Sequence, residues 1–376
     1  MNLLSLDNLL KPGLPENTRI TEEDVRFTVD ELHSVFGDIP MPPSADWSQA
    51  HPLARDLLIV DPDLLRRLFI LAVEVNISKG IPNSSIVMDR LRSTKVDDYL
   101  GARGEIKAGA WAATGSTSIE FITPKSKRGK SVDLCAQTEN GPVLIEVKSE
   151  NQFDFPIGIN MFQGWFRSRL IELKVAQGHR LRVNVGAHWV DAIGAACRIN
   201  ERAAHASWAF HSVVNGLSQD AARRVYDQRS ALVKHQMHKV EPDLECNLCE
   251  LQTAHEESVE VVMPKSLSMA TLGRIIRDLT NPEYVSQAGD QDFVFFFHTQ
   301  QKVDSEAARF ILGNLLLQLT DLKAHCLGVV IANEKDSEQI SMLNWVRTLS
   351  ESNDKTRERL SAFNSVFNSP PRLRDI

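Results

Sequence analysis

Glu146 and Lys148 are separated by a single apolar residue in PVLIEVKS, and Asp133 precedes them in SVDLCAQ. Successive side chains of a β-strand alternate between faces, so Ile145 and Val147 are expected in a core, with Glu146 and Lys148 emerging together opposite. By the same alternation Val132 and Leu134 turn inward and Asp133 outward. Thr138-Glu139-Asn140-Gly141 lies between the two runs. Asn-Gly between apolar stretches is a strong hairpin signal, because both residues tolerate positive φ. Such a hairpin brings Asp133 beside Glu146. Two adjacent carboxylates repel each other and need a compensating charge. A lysine gives one unit of charge. A divalent cation gives two, and Mg²⁺ is commonly held by one or two carboxylates with waters and phosphate oxygens. The lysine is then left to orient or deprotonate an attacking water and to offset charge on a pentavalent phosphate. The plainer alternative is a solvated strand face carrying an ordinary Glu/Lys pair.

The flanking elements decide whether those residues can meet. GEIKAGAWAATG, 104–115, reads as a short Ala-rich helix stopped by glycine, and STSIEFI as a strand. A loop with Lys125, Lys127, Arg128 and Lys130 follows, and then the two strands of the hairpin. The segment 104–150 therefore reads helix, strand, strand, strand. A helix is expected from about 160 to 177 and a strand at RLRVNVG. Upstream, 1–95 is read as a helical region interrupted by the Pro-rich GDIPMPPSADWSQAHP. Within it Thr21-Glu22-Glu23-Asp24 has capping-box spacing ahead of Val25, Val29, Leu32 and Phe36, and Pro62 opens a buried helix. Residues 191–290 read as a largely helical region with an acidic insertion at 241–260. Residues 291–376 read as β-α-β-α elements: FVFFFH, a helix from Ser305, CLGVVIAN and a helix near 337–350. A strand, crossover helix and strand of this kind favour a parallel pair.

The acid, the second acid and the lysine resemble the motif of the PD-(D/E)xK nuclease superfamily. Asp133 matches the family's strand-borne acid, and Glu146-Val147-Lys148 matches its (D/E)-x-K. The hydrophobic-E-V-K-Ser form is common in its archaeal Holliday-junction-resolvase-like and restriction-like members. Such members also carry a glutamate on the helix before the first strand, and Glu105 stands there, with Glu74 in LAVEVN a rival. Val132, not proline, precedes Asp133, a departure shared by many members, which lack that proline. The resemblance covers residues 96–190 and implies an α/β fold, with a restriction-endonuclease-like mixed central sheet flanked by helices. The fourth core strand would be RLRVNVG, or FVFFFH with CLGVVIAN, which would complete the sheet from the C-terminal region. The resemblance implies a metal-dependent endonuclease acting on DNA. Asp133, Glu146 and Glu105 would hold Mg²⁺ (or Mn²⁺), and Lys148 would act on the water or the scissile phosphate. The basic loop Lys125, Lys127, Arg128 and Lys130 would contact backbone phosphates. A further polar residue on the following helix would be Gln163, with Gln152 and Gln228 as alternatives. Restriction or antiphage defence and DNA repair are the implied settings. A homodimer or a partner subunit is the implied assembly, since two strands must be cut.

Cys246-Asn247-Leu248-Cys249 has the spacing of a zinc pair, with His238 and His255 on either side and His235 as a substitute. Four such ligands could form a tetrahedral structural Zn²⁺ clip; the alternative is two reduced thiols in an acidic loop. Cys135, Cys197 and Cys326 are expected in cores. No phosphate-cradling Gly-rich loop or nucleophile elbow is present.

Composition limits the remaining classes. A chain of 376 residues, 43% hydrophobic and 24% charged, has the make-up of a globular protein of two or three domains rather than of a disordered one. A net charge of -7 argues against nonspecific coating of nucleic acid. Basic clusters at Arg167, Arg169, Lys174, Arg180 and Arg182, and at Arg223, Arg224, Arg229, Lys234 and Lys239, keep a local nucleic-acid surface open. No apolar run approaches membrane-spanning length, and MNLLSLDNLLKPG lacks a basic leader, so a cytoplasmic protein without a membrane partner is expected. The rival from another class is a catalytically silent module of the same fold that binds DNA or a partner protein.

Overall fold

The structure, a computed structural model, describes residues 2–10, 20–41, 50–58, 64–123, 132–149, 154–202, 207–234, 239–240, 248–253, 257–263, 272–273, 275–281, 293–299, 303, 305–318, 326–333, 339–343 and isolated positions between 358 and 367. Its helices are α1 (Leu6–Leu10), α2 (Glu22–Phe36), α3 (Pro52–Leu58), α4 (Leu64–Lys79), α5 (Ser84–Leu91), α6 (Val96–Gly115), α7 (Asp154–Glu172), α8 (Ala187–Arg202), α9 (Ser207–Lys234) and α10 (Ser305–Gln318). Its strands are β1 (Ser118–Phe121), β2 (Leu134–Thr138), β3 (Gly141–Ser149), β4 (His179–Asn184), β5 (Lys239–Val240), β6 (Leu248–Thr253), β7 (Ser258–Val262), β8 (Phe293–Thr299), β9 (Cys326–Asn333) and β10 (Gln339–Leu343). The protein is mixed α/β and divides into two compact units. One is Met1–Pro40, Leu65–Asn151 and Ser268–Ile376; the other is Met41–Leu64 and Gln152–Leu267. This division is discontinuous and differs from the four consecutive regions read in the sequence.

The first unit holds a mixed sheet in the order β1-β2-β3-β8-β9-β10. β1, β2 and β3 form an antiparallel meander, and β8 lies parallel to β3, with β9 parallel to β8. Of the two segments expected to supply the fourth strand, FVFFFH takes that place. Every residue of β8 and β9 is buried, as their unbroken apolar sequences require of parallel strands covered on both faces. α6 lies on the face that carries Ile145, Val147 and Phe296; the Trp111 and Phe296 rings meet edge to face at 5.8 Å. Leu144, Phe293, Phe295, Phe297, Val329 and Ile331 form the opposite core with Leu272, Ile275, Ala308 and Leu312.

Several local readings change. The Ala-rich helix begins at Val96, not Gly104, and runs 20 residues. Gly104 is a point of close approach, not a helix start: a Cβ there would sit 2.2 Å from Ser149 Oγ and 3.1 Å from Val147 Cγ1. The hairpin turn is Glu139-Asn140. Thr138 pairs with Gly141, and Gly141 alone of the Asn-Gly pair has positive φ, at 106°. The segment expected as a helix near 337–350 supplies β10, which pairs antiparallel with the free edge of β9. The Thr21 capping box forms as expected: Asp24 N donates to Thr21 Oγ1 at 3.2 Å, and Thr21 N to Asp24 Oδ2 at 2.7 Å. α4 begins at Leu64, and Pro62 lies outside the described residues.

The second unit has a four-stranded sheet, β5-β6-β4-β7, against which α7 and α9 pack, with α8 lying on those two helices. RLRVNVG contributes β4 to this sheet, so it is not part of the sheet that contains β3. The acidic stretch 241–260 is not a separate insertion in the described residues; it provides β6 and β7. α7 starts at Asp154 and ends at Glu172, earlier than its sequence periodicity suggested, because Lys174 and Gly178 adopt positive φ beyond it. Among the described residues no helix is long and apolar enough to cross a membrane.

Candidate active site

Asp133 immediately precedes β2, where the meander leaves its regular ladder. Its N–H still donates to Ile145 O at 3.1 Å, but the next N–H of β3, that of Val147, donates to the Asp133 carboxylate at 2.7 Å. The side chain thus takes over an acceptor position of the sheet, which fixes the carboxylate between the two strands. Glu146 and Lys148 follow on β3 on one face, as alternation dictates. That face is not solvated. The parallel pairing with β8 sets Glu146 against Phe295 and Lys148 against Phe297, and Glu146 is only 2% exposed. Lys148 Nζ donates to Glu146 Oε1.

Glu105 comes from the middle of α6 and is 6% exposed. It is therefore neither a first-turn residue nor a surface glutamate. Its partner is one the sequence reading missed. Arg90, in the last turn of α5, donates through Nη1 to both Glu105 oxygens, at 2.7 and 2.9 Å. Nothing in the spacing of Arg90 marks it; the pair exists because α5 packs on α6. Glu74, the rival helix acid, is committed elsewhere, to a buried ion pair with Lys107 at 2.7 Å.

The electrostatics tie these groups into one cluster. Burial, and then the Asp133 charge, pushes Glu105 up to about 8 against the opposing pull of Arg90 and Lys148. Burial and Asp133 likewise push Glu146 up to about 8, with Lys148 opposing and Glu105 adding to the rise. Asp133 is also raised by burial, resisted by the Val147 N–H, Lys148 and Arg90. Three carboxylates face two cations, so with every acid ionised the cluster carries an uncompensated negative charge. Such a set either retains protons or recruits a further cation.

The donor set suits a hard divalent ion: all three acids offer oxygen, and Asp133 and Glu146 flank one another across β2 and β3. Among the described residues, however, no three His, Cys, Asp or Glu side chains stand together as a ready-made metal cage. Both Glu105 oxygens already accept from Arg90. Of the other expected site residues, Gln163 donates to Val261 O at 3.2 Å within the second unit, and Gln228 lies in α9 of that unit. Gln152, the basic loop of Lys125, Lys127, Arg128 and Lys130, and His235, His238, Cys246 and His255 lie outside the described residues, as does the side chain of Cys249. Cys135 and Cys326 are buried and outside any disulfide. No protein-family model, curated protein or solved structure matches the chain.

Proposed function

We propose that this cluster is the active centre of a Mg²⁺- or Mn²⁺-dependent nuclease of the PD-(D/E)xK type, hydrolysing phosphodiester bonds in DNA. The observation that carries the reading is the convergence of Asp133, Glu146, Lys148 and Glu105 from three elements into one buried, acid-rich cluster. A helix, an antiparallel meander and a fourth strand beside the third, in the order the resemblance implies, support a restriction-endonuclease-like core. Asp133 and Glu146 would hold the metal ion, with Glu105 joining when Arg90 leaves it. When bound, the ion would supply Lewis-acid charge at the phosphate and a more acidic attacking water. The chain's own contribution is positional. The Val147 N–H fixes the Asp133 carboxylate. Lys148, held by Glu146 at the partly covered end of β3, would orient the attacking water and offset charge developing on the phosphate. Antiphage defence or restriction and DNA repair are both compatible settings.

A second reading also has an observation behind it. Glu105 is satisfied by Arg90 and Lys148 by Glu146, as in a silent nuclease-fold module that binds DNA or a partner protein. Incubation with plasmid, linear and single-stranded DNA in Mg²⁺ or Mn²⁺, with EDTA and Asp133→Ala controls, separates the two. Metal-dependent cutting lost in Asp133→Ala is expected. Undiminished cutting by that variant would sink the site assignment, and no cutting by the wild type on any substrate would favour the silent module.

A further inference from the structure

The position of Arg90 goes beyond neutralising Glu105. Its side chain is 40% exposed while that of Glu105 is 8% exposed, so the guanidinium forms the solvent side of the pair and the carboxylate its buried side. A Cβ at Gly101, one turn before Glu105 on α6, would lie 2.7 Å from Arg90 Nη2. Glycine at 101 leaves the guanidinium room to lie where it does, and a side chain there would make its tip shift. Among the described residues Nη1 alone is hydrogen-bonded, which leaves the N–H groups of Nε and Nη2 for another acceptor. Arg90 also feels the charge of Asp133, so it faces two of the cluster's carboxylates and not one alone.

An exposed, planar, permanently charged donor at the mouth of such a cluster suits an oxyanion with several acceptors, and a backbone phosphate is one. The formal charges agree. Glu105, Asp133 and Glu146 against Arg90 and Lys148 leave one negative charge; a divalent cation reverses it to one positive charge, which a single phosphodiester neutralises. We propose that Arg90 is a phosphate-contacting residue of this site, exchanging the Glu105 carboxylate for a backbone phosphate when nucleic acid binds. The exchange frees the Glu105 oxygens for the divalent cation as the phosphate arrives. This rests on the nuclease reading of the same residues.

The competing account is that Arg90 only compensates a buried glutamate. Glu105→Gln removes that need and separates the two. Binding of a labelled DNA duplex is measured by fluorescence anisotropy in EDTA, where nothing is cut, across a salt series. Relative to Glu105→Gln, the double variant Glu105→Gln/Arg90→Ala should bind roughly tenfold more weakly, the scale of one lost charged hydrogen bond. Its dependence on salt should fall by about one phosphate's worth. Gly101→Ala, which keeps every charge but crowds the guanidinium, should weaken binding in the same direction and keeps the test open if the double variant does not fold. Unchanged affinity and salt slope in both variants would overturn the role of Arg90 while leaving the nuclease reading standing. Absence of any DNA binding or cutting by the wild-type chain would overturn the nuclease reading and this inference with it.

Discussion

Stripped of divalent cations, the acid cluster should make stability depend on pH in an unusual direction. Glu105 and Glu146 titrate at about 8 in the folded chain against an ordinary 4.5. Between those values the folded state holds protons that the unfolded chain has lost. The stability they contribute is therefore fully present below about pH 4.5, falls as pH rises towards 8 and levels off above it. The slope is roughly 1.4 kcal/mol per pH unit for each carboxyl that keeps its proton, and twice that where both do. Mg²⁺ should oppose the trend, because a cation that displaces those protons binds better as pH rises. At a hundredfold excess over its Kd it would add about 2.7 kcal/mol. The assay is denaturant unfolding at pH 5, 6, 7 and 8, in EDTA and in Mg²⁺, on wild type and Glu146→Gln. The difference between wild type and Glu146→Gln removes the contribution of every other group. Glu146→Gln in EDTA should lose one carboxyl's share of the slope and respond less to Mg²⁺. An identical pH slope in the two proteins would refute the placement of Glu146 in a proton-holding cluster.

The other predictions concern the lysine and the packing that positions it. Lys148→Ala should slow cleavage by about 10² to 10³, the usual cost of losing a group that stabilises transition-state charge, while DNA binding in EDTA changes little; equal losses in both would make Lys148 a binding residue instead. Gly104→Ala should destabilise by about 1–3 kcal/mol in chemical unfolding, because its Cβ would meet Ser149 Oγ at 2.2 Å. Part of that loss should return in Gly104→Ala/Ser149→Ala. Lys107→Met leaves Glu74 buried without its partner and should cost about 3–5 kcal/mol, whereas Lys107→Met/Glu74→Leu should lie close to wild type.

The hairpin and its acids were legible because they depend on local rules. Alternation placed Glu146 and Lys148 together, and a turn between two apolar runs returned Asp133 to them. What the local rules lacked was the second cover of the sheet. Glu146 reads as solvated from its own strand, and its burial comes from parts of the chain far along the sequence, the parallel neighbour β8 among them. The choice of fourth strand was undecidable for the same reason: RLRVNVG and FVFFFH carry equally good strand patterns, and pairing is a long-range matter. The length of α6 was hidden because Gly101 and Gly104 look like breakers in sequence. In the fold they are contact points, where packing outweighs helix propensity. Arg90 left no pattern at all, since a cross-helix pair between α5 and α6 has no fixed spacing.

Two buried ionic arrangements within one unit show why only one of them reads as a site. Lys107 and Glu74 are matched one to one between α6 and α4, and Lys107 also lies 5.3 Å from the centre of the Trp111 ring. That arrangement is complete: each charge has its counter-charge, and no ligand is needed to balance it. The cluster on the same helix, two residues away at Glu105, is not complete. Glu105, Asp133 and Glu146 share Arg90 and Lys148, and Asp133 relies on a backbone N–H as well. A chain that needed only to bury acids in a sheet would be more stable with apolar residues there, since desolvating unmatched carboxylates costs more than their pairing returns. Both arrangements are anchored on α6, so the contrast does not arise from a generally polar core. The imbalance is local to the ends of β2 and β3, where a cation and a phosphate together would remove it.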